Sequence, residues 1–205
     1  MQGEVTTSQV RGPARPSLAI ENNRLGMLFF IASEGVFFLA LIMAYLFYRT
    51  FPAQGPSPQD SLDPLVTGFF SLFLFASSFT MWQATRSLAK QKPQRMAVWL
   101  LATMLLGVIF LVGQGIEWAG LIQQGTSIGR NEFATTFFTL TGFHGAHVIV
   151  GLLILGTVLG LTLTGDFPGP KSAGVDVASI YWHFVDGVWV VIYAVVYLTI
   201  VFGVF

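Results

Sequence analysis

The chain has 205 residues, of which 54% are hydrophobic and 15% aromatic, whereas only 10% are charged, with ten Lys+Arg against ten Asp+Glu. A soluble domain is about a quarter charged, so this composition and a mean hydropathy of +0.70 indicate an integral membrane protein and exclude a soluble enzyme or a disordered chain. The lack of cysteine excludes disulfides, thiolate metal sites and cysteine nucleophiles, and the balanced charge gives no sign of a nucleic-acid partner.

In chain order, residues 1–24 are polar and contain Gly12, Pro13 and Pro16. They lack the apolar run of a signal peptide and are expected to form a flexible tail that ends on the membrane surface. Residues 25–205 are expected to form a single membrane domain. A bilayer core about 30 Å thick needs about 20 apolar residues per helix, and five stretches meet that length: 25–48, 65–85, 96–122, 133–164 and 177–205. Inside them lie three of the formally charged residues, Glu34, Glu117 and Asp186. The runs do not alternate as outer-membrane strands do, and backbone groups in lipid must bond internally. The expected fold is therefore all-α, a bundle of five transmembrane helices. Pro52, Pro56, Pro58, Pro64, Pro93, Pro168 and Pro170 fall in the loops, and no proline falls within the five spans.

Lysine and arginine set orientation. Arg11, Arg15, Arg24, Arg86, Lys90, Lys92, Arg95 and Lys171 fall on one side, Arg49 and Arg130 on the other. This bias predicts a cytoplasmic N-terminus and a C-terminus outside. Trp82, Trp99 and Trp182 are then expected near the inner surface and Trp118 near the outer one, as an aromatic belt. The Arg86–Arg95 cluster is read first as this orientation signal and second as a set of contacts from Arg86 and Arg95 to anionic lipid headgroups.

An ionisable residue deep in a span faces protein or water and is a candidate functional group. At about 1.5 Å per residue, Glu34 and Asp186 each lie roughly 14 Å into their spans. His144 and His147 fall in the middle of the fourth span, and His183 in the inner part of the fifth. These five residues are expected to form one buried polar network, with Gln114 and Glu117 as a separate pair near the outer surface. His144 with His147, His183 with Asp186, and Gln114 with Glu117 are each three apart, a spacing that puts both members on one helix face. Three readings of the set stand side by side: hydrogen-bonded glue between helices, proton handling, and a metal site built from imidazoles and carboxylates. Gly142 and Gly145, and the Gly156–Gly160 GxxxG, are expected to allow close helix approach. The phenylalanines of the second span are read as packing or lipid-facing. Walker, Rossmann and nucleophile-elbow motifs are absent, and three histidines are few for the haem and copper sites of a terminal oxidase.

The fourth and fifth spans carry a resemblance. Thr-Gly-Phe-His-Gly-Ala-His-Val-Ile-Val-Gly at 141–151 and Tyr-Trp-His-Phe-Val-Asp-Gly-Val-Trp at 181–189 resemble two signatures of subunit III of the haem-copper cytochrome c oxidases. Gln114 with Glu117-Trp118, Phe137-Phe138 before Thr141, and Ser-Glu-Gly-Val-Phe-Phe at 33–38 are similar to the same pattern. The chain resembles the short, five-helix form, which lacks the first two helices of longer members. The resemblance implies an accessory subunit of a proton-pumping terminal oxidase, part of an enzyme complex but with no catalytic centre and no cofactor of its own. Haem and copper are expected in the partners, subunit I and subunit II. The implied role is to pack on subunit I, hold phospholipid, support proton uptake and slow inactivation, in a bacterial inner membrane and within a larger respiratory assembly. By motif, Glu34, His144, His147, His183 and Asp186 would form the network. A lipid cleft is expected between the first two helices and the last three. Equivalent subunits of ubiquinol oxidases and companions of nitric oxide reductase share the pattern. From another class, a small independent transporter is disfavoured, because no internal repeat or broken midplane helix is evident.

Overall fold

A computed structural model describes residues 16–49, 62–165 and 172–203. Every regular element among them is helical. We label them α1 (Pro16–Arg49), α2 (Pro64–Ala89), α3 (Pro93–Gln123), α4 (Glu132–Thr164) and α5 (Ala173–Tyr193). Helix α5 continues through a π-helical turn, Ala194–Leu198, into a last short turn, Thr199–Val201. All five are long and apolar enough to cross a membrane.

Local chemistry sets the helix ends. Proline opens α1, α2 and α3, where its fixed φ suits a helix and its missing N–H is not needed. The Asp63 carboxylate caps α2 by accepting from the Leu65 and Val66 amides at 3.0 and 3.1 Å. Asn131 caps α4 by accepting from the Ala134 amide at 2.7 Å. Gly165, at φ 80°, ends α4 in the left-handed conformation that a side chain would disfavour. Pro16–Arg24, expected in the tail, continues helix α1. Residues 1–15 of that tail, and the prolines Pro52, Pro56, Pro58, Pro168 and Pro170, lie outside the described residues.

Successive helices run in opposite directions. Helices α2, α3, α4 and α5 form a ring, each packed on the next, with α5 closing against α2; α1 lies outside it in the groove between α4 and α5. The first two helices therefore do not form one wall of a cleft facing the other three. Helix α1 belongs with α4 and α5, and α2 with α3 and α5.

The ring interior is aromatic. Trp182, Trp189, Phe110, Phe137 and Tyr197 are buried at its centre. Trp182 fits because the facing positions are glycine. A Cβ added at Gly107 or Gly151 would stand 2.8 Å from its indole, closer than atoms can pack. The close approach expected of the GxxxG pair lies elsewhere: a Cβ at Gly160 would meet nothing within 4 Å. Trp182 is thus a core residue and not part of a surface belt, whereas Trp82 is exposed.

Candidate functional site

Helix α1 places Glu34 against α4. Its Oε2 lies 3.0 Å from His147 Nε2. The other imidazole nitrogen, Nδ1, lies 2.7 Å from the Phe143 carbonyl oxygen. A carbonyl only accepts, so Nδ1 carries a hydrogen and donates. One proton then remains to be shared between Nε2 and the Glu34 carboxyl. Helix α5 joins this tie, because the Tyr181 hydroxyl donates to the His147 carbonyl at 3.1 Å. The pair is half-buried, with 23% of the Glu34 side chain and 16% of the His147 side chain exposed, so it sits at the rim of the bundle.

One helical step away, His144 has a different environment. It is fully buried and stacks on Trp189 at 4.7 Å, with Phe110 and Phe38 edge-on at 5.9 and 6.4 Å. Among the described residues neither ring nitrogen has a hydrogen-bonding partner. Among the described residues His144 is therefore part of the aromatic core and shares no hydrogen bond with Glu34, His147, His183 or Asp186.

The third cluster ties α2 to α5. The Ser78 hydroxyl donates to Asp186 Oδ2, and Ser78 Oγ lies 3.1 Å from His183 Nδ1. His183 and Asp186 of α5 thus meet on one hydroxyl of α2. The result is one polar set, His183, Ser78 and Asp186, joining α2 to α5. Two further serines of α2 accept from buried indoles: Ser77 from Trp182 at 2.9 Å and Ser71 from Trp189 at 2.8 Å.

At the Arg49 end, Glu117 of α3 binds two other helices. Thr67 donates to its Oε1 at 2.6 Å and Tyr197 to its Oε2 at 2.8 Å. Gln114 turns to α4, where its Nε2 donates to the Thr141 carbonyl at 2.8 Å. Gln114 and Glu117 are therefore not a pair. Tyr197 projects from the π turn, and Arg49 donates to Val195 of that turn at 3.3 Å and to Thr199 just beyond it. The Val195 carbonyl in that turn accepts from both Arg49 and the Thr199 hydroxyl, the latter at 2.7 Å.

The single network expected from sequence is thus divided. Among the described residues, hydrogen bonds join Glu34 with His147, and Ser78 with His183 and Asp186, in separate sets, while His144 belongs to neither. Three i,i+3 pairs were expected to share a face. Residues at that spacing diverge by about 60°, enough to send His144 inward and His147 toward α1. Sequence reasoning missed Thr67, Ser71, Ser77, Ser78, Tyr181 and Tyr197. The signal was available for α2, where hydroxyl residues recur in an apolar helix, a known form of interhelical glue. Arg86 and Arg95 lie at the α2–α3 turn, with the Arg86 guanidinium 4.5 Å from the Trp82 ring centroid.

The donor set does not suit a metal. His147 is turned to Glu34, His183 to Ser78, and His144 is enclosed by aromatic rings. No group of three or more metal-ligating side chains is assembled among the described residues.

Comparison with known proteins gives the family. The cytochrome c oxidase subunit III profile matches residues 6–201. The chain belongs to that family. It is 38% identical to cytochrome c oxidase subunit 3 of Synechocystis sp. over 84% of this chain and 74% of that protein. Identity to the Thermostichus vulcanus protein of the same name is 36%, over 85% of this chain and 86% of that one. With cytochrome c oxidase subunit 3 of a Bacillus species it is 35%, over 91% and 92%. The chain is accordingly a multi-pass membrane protein and an accessory part of a terminal oxidase, an oxidoreductase complex that it shares with other subunits.

Proposed function

We propose that this subunit packs on the haem-bearing subunit I, beside subunit II, in a bacterial plasma membrane, and supports proton uptake without carrying electrons. Haem and copper belong to those partners in this reading. The separation of the ionisable groups supports it best. Each charged side chain within the spans bonds to a neighbouring helix, and His144, which would have to link Glu34–His147 to Asp186, is sealed among Trp189, Phe110 and Phe38. Glu34, His147, His183 and Asp186 act as ties and His144 as a core ring. The eight-to-two distribution of cations favours a cytoplasmic N-terminus. The relatives' names favour the cytochrome c branch over a quinol oxidase or a nitric oxide reductase companion.

The test is purification through a tag on this chain in mild detergent, followed by optical spectroscopy and subunit mass analysis. Haem bands and subunit I should travel with the chain and disappear when it is isolated from them. A solitary chain that binds its own metal would contradict the reading.

A further inference from the structure

Helix α5 packs on α4, α1 and α2, with α4 between the other two, so one face of α5 is left outward between α1 and α2. His183, Gly187 and Val190 stand on it. Their spacing, four residues and then three, puts them on one side of the helix, and all three are exposed. His183 lies about 15 Å along α5 from Ala173. The whole span, Ala173–Val201, has 29 residues and is about 43 Å long. That depth is therefore well inside a hydrocarbon core about 30 Å thick.

Two observations set this face apart from the other outward surfaces. Exposed valine, leucine and phenylalanine need no partner in lipid, but an imidazole does. Within the five apolar stretches, His183 is the one exposed histidine or charged side chain among the described residues. Its Nδ1 is taken by Ser78 at 3.1 Å. Its Nε2 makes no hydrogen bond among the described residues. At this depth bulk water and lipid headgroups are out of reach, and acyl chains offer no hydrogen bond. The second observation is Gly187. A Cβ added there would meet nothing within 4 Å, so packing inside this chain does not require glycine, as it does at Gly107 and Gly151. A small residue on an outward face lets a helix of another chain approach closely.

We propose that the face formed by His183, Gly187 and Val190 is the seat of a transmembrane helix from a neighbouring oxidase subunit. That helix crosses closely over Gly187 and brings a hydroxyl, amide or carboxyl side chain to His183 Nε2. His183 then holds Ser78 of α2 with one nitrogen and the incoming helix with the other. This rests on the reading that the chain packs against other membrane subunits, and it adds which face does so and by what chemistry.

The experiment uses membranes that hold the whole complex, with a tag on this chain and a photoreactive diazirine side chain in place of Val190. Illumination should join that position to an apolar helix of another oxidase subunit, located by peptide mass analysis. Crosslinks to lipid alone, to a second copy of this chain or to a protein outside the oxidase would overturn the proposal. Two substitutions sharpen the test. Gly187→Leu fills the space that the incoming helix needs and meets nothing in this chain, so the isolated variant should unfold at the wild-type midpoint while its haem-bearing partner is lost in mild detergent. His183→Asn keeps an amide where Nδ1 meets Ser78 and removes Nε2. One interhelical hydrogen bond changes an association constant about fivefold, so this variant should release the partner about fivefold more readily on dilution. His183→Gln, whose amide reaches the Nε2 position, should release it less. Wild-type haem retention in both Gly187→Leu and His183→Asn would overturn the proposal while leaving the subunit in the oxidase. A wild-type chain that purifies without haem would overturn both readings, so the two failures are told apart.

Discussion

Helix α1 and the ring α2–α5 are held by different means. In the most apolar window of α1, 11% of residues are buried, against 28–33% in the other four helices. The ring relies on close packing and on mainly neutral bonds: Ser71 to Trp189, Ser77 to Trp182, and Thr80 to Thr103 at 2.8 Å. Helix α1 has less packing and more charge. It meets the rest through Arg24 with Asp176 at 3.9 Å, Glu34 with His147, and Arg49 with Val195 and Thr199. In lipid, apolar contact between helices brings no hydrophobic gain, so packing and hydrogen bonds decide association. A helix with little buried surface depends on its polar ties, and those of α1 are spaced along its length.

The sharpest way to break this contrast is in the ring. Gly151→Leu drives a side chain into Trp182 and should cost about 3 kcal/mol or more, read as loss of the folded fraction in a detergent unfolding titration. A smaller loss is expected at the rim. Glu34→Ala strands the His147 nitrogen and should cost about 1–2 kcal/mol. Glu34→Gln should cost less, because an amide can still pair. A double-mutant cycle with His147→Gln should return a coupling of about 1 kcal/mol; zero coupling would show that the tie does not hold α1. Ser78→Ala should cost about 1 kcal/mol, seen as a lower midpoint with α1 still docked. The smallest effect belongs to Arg24→Ala. That pair is exposed and long, so the change should be under about 0.5 kcal/mol and should vanish with added salt.

Span length and charge exclusion made the five helices legible, because lipid imposes both conditions on any sequence. Glu34, Asp186 and Glu117 were legible as groups turned toward neighbouring helices for the same reason. Their partners were not. Glu34 meets His147 across 113 positions, and the choice between His144 and His147 depends on about 60° of helix rotation, which only neighbouring helices can fix. The π turn at Ala194–Leu198 carries no proline to announce it. It is evident only from its consequences, Tyr197 reaching Glu117 and Arg49 reaching Val195. The hydroxyls of α2 were present in the sequence but overshadowed by its phenylalanines.

The central claim is that the ionisable groups of this subunit are ties between helices and not links in a proton path. The most direct measurement is the proton-to-electron ratio of the reconstituted oxidase carrying Glu34→Gln and His147→Gln, followed through repeated turnover. An unchanged initial ratio, with faster loss of activity over successive turnovers, is the predicted result. A ratio that falls from the first turnover in a fully assembled complex would contradict it.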